Sequence, residues 1–151
     1  MSNGHAGGAG DTRIAGGDGV AGERRAVRAL VAGHGDFAAG MVSAVDTITG
    51  RGGDLEPVSV AGLCAEDIEQ RLLTRAEVLG VRVIFTDLPA GSCTVAVRRL
   101  LRSHPELVLV TGANLATLVD FVLSGELPPA EAAQHAADRG RGSISVVGGP
   151  A

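Results

Sequence analysis

The segment Ala26-Val27-Arg28-Ala29-Leu30-Val31-Ala32-Gly33-His34-Gly35-Asp36-Phe37 decides the fold. Residues 26–32 form a short apolar run rich in Val and Ala and closed by Gly33, the pattern of a strand buried on both faces. From Phe37 the period changes. Phe37, Met41, Ala44, Val45 and Ile48 fall at i, i+4, i+7, i+8 and i+11, which predicts one apolar face of a helix over 37–48. Asp36 stands at its N-cap position and Gly50 stops it. Strand, short glycine loop and helix together make the first half of a βαβ unit.

Working outward, the same alternation repeats. Strands are predicted over 55–60, 81–85 and 107–110, with helices over 66–79, 94–102, 115–123 and 129–139. Pro129 suits the first turn of the last helix. A short terminal strand is predicted over 143–147. Alternation of this kind implies an α/β fold: an open, mainly parallel four-stranded sheet with helices on both faces. In such a sheet, ligand chemistry gathers outside the carboxyl ends of the strands, where strand order reverses. With the order 2-1-3-4, the loops after strands one and three meet there. Those loops carry His34 on one side and Thr86, Asp87, Gly91 and Ser92 on the other, with Gly112 and Asn114 after strand four.

Composition excludes several classes of function. The net charge is −4 and three Phe are the only aromatic residues, so neither a basic face nor a base-stacking platform suggests a nucleic-acid binder. All 13 basic residues are Arg, which rules out Schiff-base and P-loop lysine chemistry. Cys64 and Cys93 lack the spacing of a disulfide framework or a zinc site. The apolar stretch 107–123 is broken by Gly112, Asn114 and Asp120 and is not a membrane span. Residues 1–22 are Gly-rich and poor in large apolar side chains. They read either as a disordered tail or as an artefact of an upstream start site, without a secretory signal, ahead of one cytoplasmic domain over 23–151.

A histidine after an apolar strand is commonly structural, so its neighbours must carry the functional reading. Gly33 and Gly35 remove bulk around His34. The helix beginning near Phe37 turns free N–H groups and its positive dipole end toward the loop, an environment suited to an anion. Asp87 can accept a hydrogen bond from one imidazole nitrogen and leave the other as a nucleophile. Ser92 and Thr94 at the next helix start add hydroxyl and N–H donors. Phosphoryl transfer needs little beyond positioning and charge stabilisation, which this set supplies. Taken singly, Asp87 reads as a turn cap and Ser92 as an N-cap. Cys93 reads either as a thiol of lowered pKa at a helix start or as a small buried residue, the second being favoured. His5, His104 and His135 carry no assigned role.

Three stretches, 31–40 (Val-Ala-Gly-His-Gly-Asp-Phe-Ala-Ala-Gly), 85–92 (Phe-Thr-Asp-Leu-Pro-Ala-Gly-Ser) and 110–115 (Val-Thr-Gly-Ala-Asn-Leu), resemble the mannose-family enzyme IIA domains of the bacterial sugar phosphotransferase system in order and spacing. The resemblance extends over about residues 25–147. It implies phosphorylation of His34 by the phosphocarrier HPr and transfer to a IIB protein, with Asp87 orienting His34 and Ser92 in the same pocket. Gly33, Gly35, Asp36, Thr86, Gly91, Thr94, Gly112 and Asn114 are the accompanying candidates for contact with the phosphoryl group or partner. It also implies a homodimer that exchanges the last strand, indirect association with IIC and IID membrane subunits, and neither a metal nor a nucleotide cofactor. Departures occur at Leu88-Pro89-Ala90, where many members carry an aromatic residue then Gly-Gly, and at Cys93, where many carry Pro. The Leu-Pro-Ala-Gly-Ser-Cys version is similar to the branch linked to N-acetylgalactosamine, although the IIA domain does not touch the sugar.

Rival readings are weaker. Gly33, Gly35 and Ala38 satisfy G-x-G-x-x-A, but strand two ends in Ser59-Val60-Ala61-Gly62 without the acid that would hold a ribose. Ser92 lacks the G-x-S-x-G elbow of a Ser-His-Asp hydrolase. A phosphotransfer subunit of a dihydroxyacetone kinase, or a regulatory phosphorylation sensor, keeps the same fold and histidine loop.

Overall fold

The computed structural model describes residues 25–151, so the tail read into 1–22 lies outside the described residues. Four strands, β1 (Ala29–Ala32), β2 (Leu55–Val58), β3 (Val83–Thr86) and β4 (Val108–Val110), alternate with the helices α1 (Phe37–Thr49), α2 (Ala65–Leu79), α3 (Ser92–Ser103), α4 (Leu115–Leu123) and α5 (Pro129–Gly142). The sheet order is β2-β1-β3-β4 and every pairing is parallel. Sequence and structure agree on this point. A 3-10 turn, Gly52–Asp54, leads into β2.

Alternation along the strands divides the core into two layers. Ala29, Val31, Val83 and Phe85 face one side and pack with Val45 of α1, Phe121 of α4 and Ala132, Ala133 and Ala136 of α5. Leu30, Ala32 and Ile84 face the other, against Leu72 of α2 and Val97 and Leu100 of α3. Phe85 and Phe121 meet edge to face with centroids 5.0 Å apart. With so few aromatics, small residues close the remaining space. Gly140 of α5 lies so near α4 that a Cβ there would overlap Thr117 Oγ1.

Two expectations need correction. Ile48, assigned to the buried face of α1, is 59% exposed, because α1 meets the sheet mainly through Ala38 and Val45. Residues 143–147 form no strand within this chain. α5 runs on to Gly142, and Ile144, Val146 and Val147 beyond it are exposed. No helix among the described residues is long and apolar enough to cross a membrane.

Candidate active site

The register of the sheet builds the site. Ala32 at the end of β1 pairs with Thr86 at the end of β3, so the chain leaves both strands at the same level and brings His34 beside Asp87. This is the point at which strand order reverses. One carboxylate oxygen, Asp87 Oδ2, accepts two hydrogen bonds from His34: from its backbone N–H at 2.8 Å and from ring Nδ1 at 2.7 Å. The other oxygen, Oδ1, accepts the Leu88 N–H at 2.9 Å. Asp87 is nearly covered, with 10% of its side chain exposed, whereas the His34 side chain is 59% exposed. Burial pushes the Asp87 carboxyl upward. The hydrogen bonds from His34 and Leu88 and the proximity of the imidazole outweigh it, so the group sits below its ordinary value. Asp87 is therefore an anion at neutral pH, and His34 Nδ1 carries the proton it accepts. In the neutral ring the free lone pair then belongs to Nε2, on an exposed side chain.

The glycines act mainly by letting these groups approach. A Cβ on Gly33 would lie 2.9 Å from Asp87 Cγ and 2.5 Å from Phe37 Cδ1. A Cβ on Gly91 would lie 2.9 Å from His34 Cε1. Gly35 adopts φ +51° and Gly112 φ +70°, left-handed conformations that favour glycine. Asp36 occupies the N-cap position of α1, but its side chain makes no capping bond. Gly91 is the N-cap residue of α3, so Ser92 begins that helix and is exposed. Three of the predicted residues therefore meet directly, His34, Asp87 and Gly91. Gly33 fits behind them.

The side chains of Thr86, Thr94 and Asn114, expected among the contacts of a phosphoryl group or partner, are engaged with other groups of the protein. Thr86 and Thr94 are fully buried and hydrogen-bond each other at 2.6 Å, behind the loop rather than at its surface. Asn114 caps α4 by accepting the Thr117 N–H at 3.0 Å, and its amide donates to Gly140 O at 2.9 Å and Ser143 Oγ at 3.3 Å. Its side chain ties α5 to α4. Cys93 is buried, and burial together with the Asp87 charge pushes its thiol upward, so the lowered pKa is excluded. Sequence reasoning passed over Thr111, whose Oγ1 lies 3.2 Å from Thr94 Oγ1. It also passed over the Leu88 backbone, which binds Asp87 and Thr94. Nothing local in the sequence marks either one. Among the described residues, no group of three or more His, Cys, Asp or Glu is arranged to hold a metal.

The chain is similar to known proteins in sequence and in fold. Residues 28–137 match the family model EIIA-man, described as the fructose IIA component of the phosphotransferase system (PTS). No curated relative matches. Among solved structures, the mannose/sorbose-specific IIA subunit from Enterococcus faecalis superposes with a TM-score of 0.72 at 21% identity, covering 84% of this chain and 98% of that one. The PTS component EIIA from Streptococcus agalactiae gives 0.64 at 19%, covering 79% and 96%. The PTS IIA protein associated with the fucose utilization operon of Streptococcus pneumoniae gives 0.64 at 20%, covering 79% and 91%. At these identities the structures show a shared fold, and the family model, spanning most of the chain, shows the kinship. The chain belongs to the mannose-type enzyme IIA family of the sugar phosphotransferase system.

Proposed function

We propose that the protein is a phosphocarrier that takes a phosphoryl group from HPr on His34 Nε2 and passes it to a IIB protein during sugar uptake. One observation carries this reading: Asp87 engages Nδ1 and leaves Nε2 as the nucleophile on an exposed ring. In the forward step the Nε2 lone pair attacks phosphorus, the P–N bond to the donor histidine breaks, and its electron pair returns to the donor ring. His34 then carries both Nε2–P and Nδ1–H, so its ring is cationic and the Asp87 carboxylate offsets that charge. In this reading the N–H groups opening α3, with the Ser92 hydroxyl, receive phosphoryl oxygens, as at other helix N-termini. Transfer to IIB reverses these steps. An exposed acceptor suits a donor and an acceptor that are both proteins.

Two further features belong to this reading: a homodimer in which residues 143–147 join the partner's sheet, and indirect association with IIC and IID membrane subunits. The direct test incubates the protein with enzyme I, HPr and labelled phosphoenolpyruvate. Acid-labile label is expected on the wild type and absent from His34→Ala, and label handed on to IIB completes the assignment. Equal label on His34→Ala would sink the proposal.

A further inference from the structure

The hydroxyl of Thr94 is committed in three directions. It donates to Leu88 O at 2.5 Å, a carbonyl that can only accept. Its single proton is thereby used, so toward Thr86 Oγ1 at 2.6 Å and Thr111 Oγ1 at 3.2 Å it acts as acceptor, and both of those hydroxyls donate. Thr86 and Leu88 are the residues on either side of Asp87. One buried hydroxyl on α3 therefore anchors the chain immediately before and immediately after the carboxylate that orients His34. The peptide N–H of the same Leu88 donates to Asp87 Oδ1. A rotation of that residue's backbone would disturb the carboxylate as well. Thr111 brings the loop after β4 into the network, and Ala113 N–H donates to Thr86 O at 3.0 Å. Thr94 has no exposed surface and cannot touch a phosphoryl group or partner.

We propose that Thr94 is a positioning residue: its hydroxyl clamps Thr86 and Leu88, fixes the Asp87 carboxylate, and so selects the imidazole tautomer with Nδ1 protonated and Nε2 free. The kinetic side of this inference rests on His34 being the phosphoryl acceptor. The tautomer side does not.

The test compares Thr94→Val, which keeps the shape and removes the hydroxyl, with Thr94→Ser, which keeps the hydroxyl. Ring nitrogen shifts of His34, read by nuclear magnetic resonance on ¹⁵N-labelled protein, report the tautomer. Melting temperatures report folding separately. In Thr94→Val the Nδ1–H signature is expected to give way to a mixture of tautomers, with phosphoryl uptake from HPr slowed roughly tenfold, the scale of one lost hydrogen bond. Thr94→Ser is expected to restore both. Wild-type ring shifts in a folded Thr94→Val protein would overturn the inference, whatever its melting temperature. If Thr94→Val does not fold, Thr86→Val removes one anchor alone, and unchanged ring shifts there overturn the inference equally. Absence of label on the wild-type protein would instead remove the phosphocarrier reading and leave the ring shifts to decide the role of Thr94.

Discussion

At the residue scale, the chemistry depends on which face of Asp87 meets which donor. Both oxygens accept hydrogen bonds, Oδ2 from His34 and Oδ1 from the Leu88 N–H. Asparagine cannot reproduce this, because one of its two positions becomes a donor. If its oxygen faces Leu88, its amide faces Nδ1 and favours the tautomer with Nε2 protonated. If its oxygen faces His34, two N–H donors confront each other at Leu88. Asp87→Asn is thus expected to fold and to take up phosphoryl groups at least tenfold more slowly, on the scale of a misplaced proton. Rapid-quench labelling measures it, and wild-type rates would remove Asp87 from the mechanism. The same carboxylate also links stability to pH. Its folded pKa lies below the ordinary 3.8, so its contribution is present above that value and is lost as pH falls through the lower folded one. Melting curves between about pH 6 and pH 2 should show a steeper acid limb for the wild type than for Asp87→Asn. Gly91→Ala separates chemistry from stability. The φ of −71° there suits alanine, yet the new methyl would press on His34 Cε1. Slowed labelling with a melting temperature within a few degrees of the wild type is expected, and unaltered labelling would show that the ring has room to shift.

At the scale of elements, the chain wrote its layout plainly and its side-chain depths poorly. The loop after β1 was legible because an apolar run, a glycine and a change of period coincide within residues 26–37. The ends of α1 and α2 were legible because Gly50 and Gly80 take the left-handed conformation that closes them. Hydroxyl residues were not. Thr94 and Ser92 look alike two positions apart at a helix start, yet one is buried and the other exposed, a difference set by how α3 rolls against β3. Asn114 gave a signal for a loop polar group but none for its bond to Gly140 O, since that partner lies 26 residues away. The packing of α5 on α4 depends on that bond and on the missing Cβ at 140. Gly140→Ala is expected to force the helices apart and to destabilise the protein by about 1–3 kcal/mol, as overpacking does. Denaturant unfolding measures this. A stability equal to the wild type would mean that α5 can slide without loss. Asn114→Asp, which keeps the capping acceptor and loses the donated bonds, should fall between the wild type and Asn114→Ala.

At the scale of the whole molecule, the sheet ends in a problem that a single chain leaves open. β4 is an edge strand, and an unpaired edge invites another strand to join it. Beside it runs a groove lined by Val110, Thr111, Ala113, Thr117 and Ala137. Beyond α5 the chain continues as Ser143-Ile144-Ser145-Val146-Val147, with Ile144 and Val146 separated by a polar residue as a strand with one buried face requires. These apolar side chains stand exposed, which costs free energy unless another surface covers them. Exchange of this segment between two copies would satisfy both the edge and the tail, and the two-fold symmetry of such a pair would close the assembly. Sedimentation at micromolar concentration is therefore expected to show a dimer for the wild type and a monomer after deletion of residues 144–151. Val146→Lys, a single charge on the strand's apolar face, should weaken the dimer without altering the helices seen by circular dichroism. A truncated protein that remains dimeric would place the interface elsewhere. A wild type that is monomeric would leave the edge of β4 to be covered by a different protein, with the IIB partner the first to test because β4 ends beside the His34 loop's neighbour, Pro89, which lies about 4.0 Å from the position a Cβ on Gly112 would take.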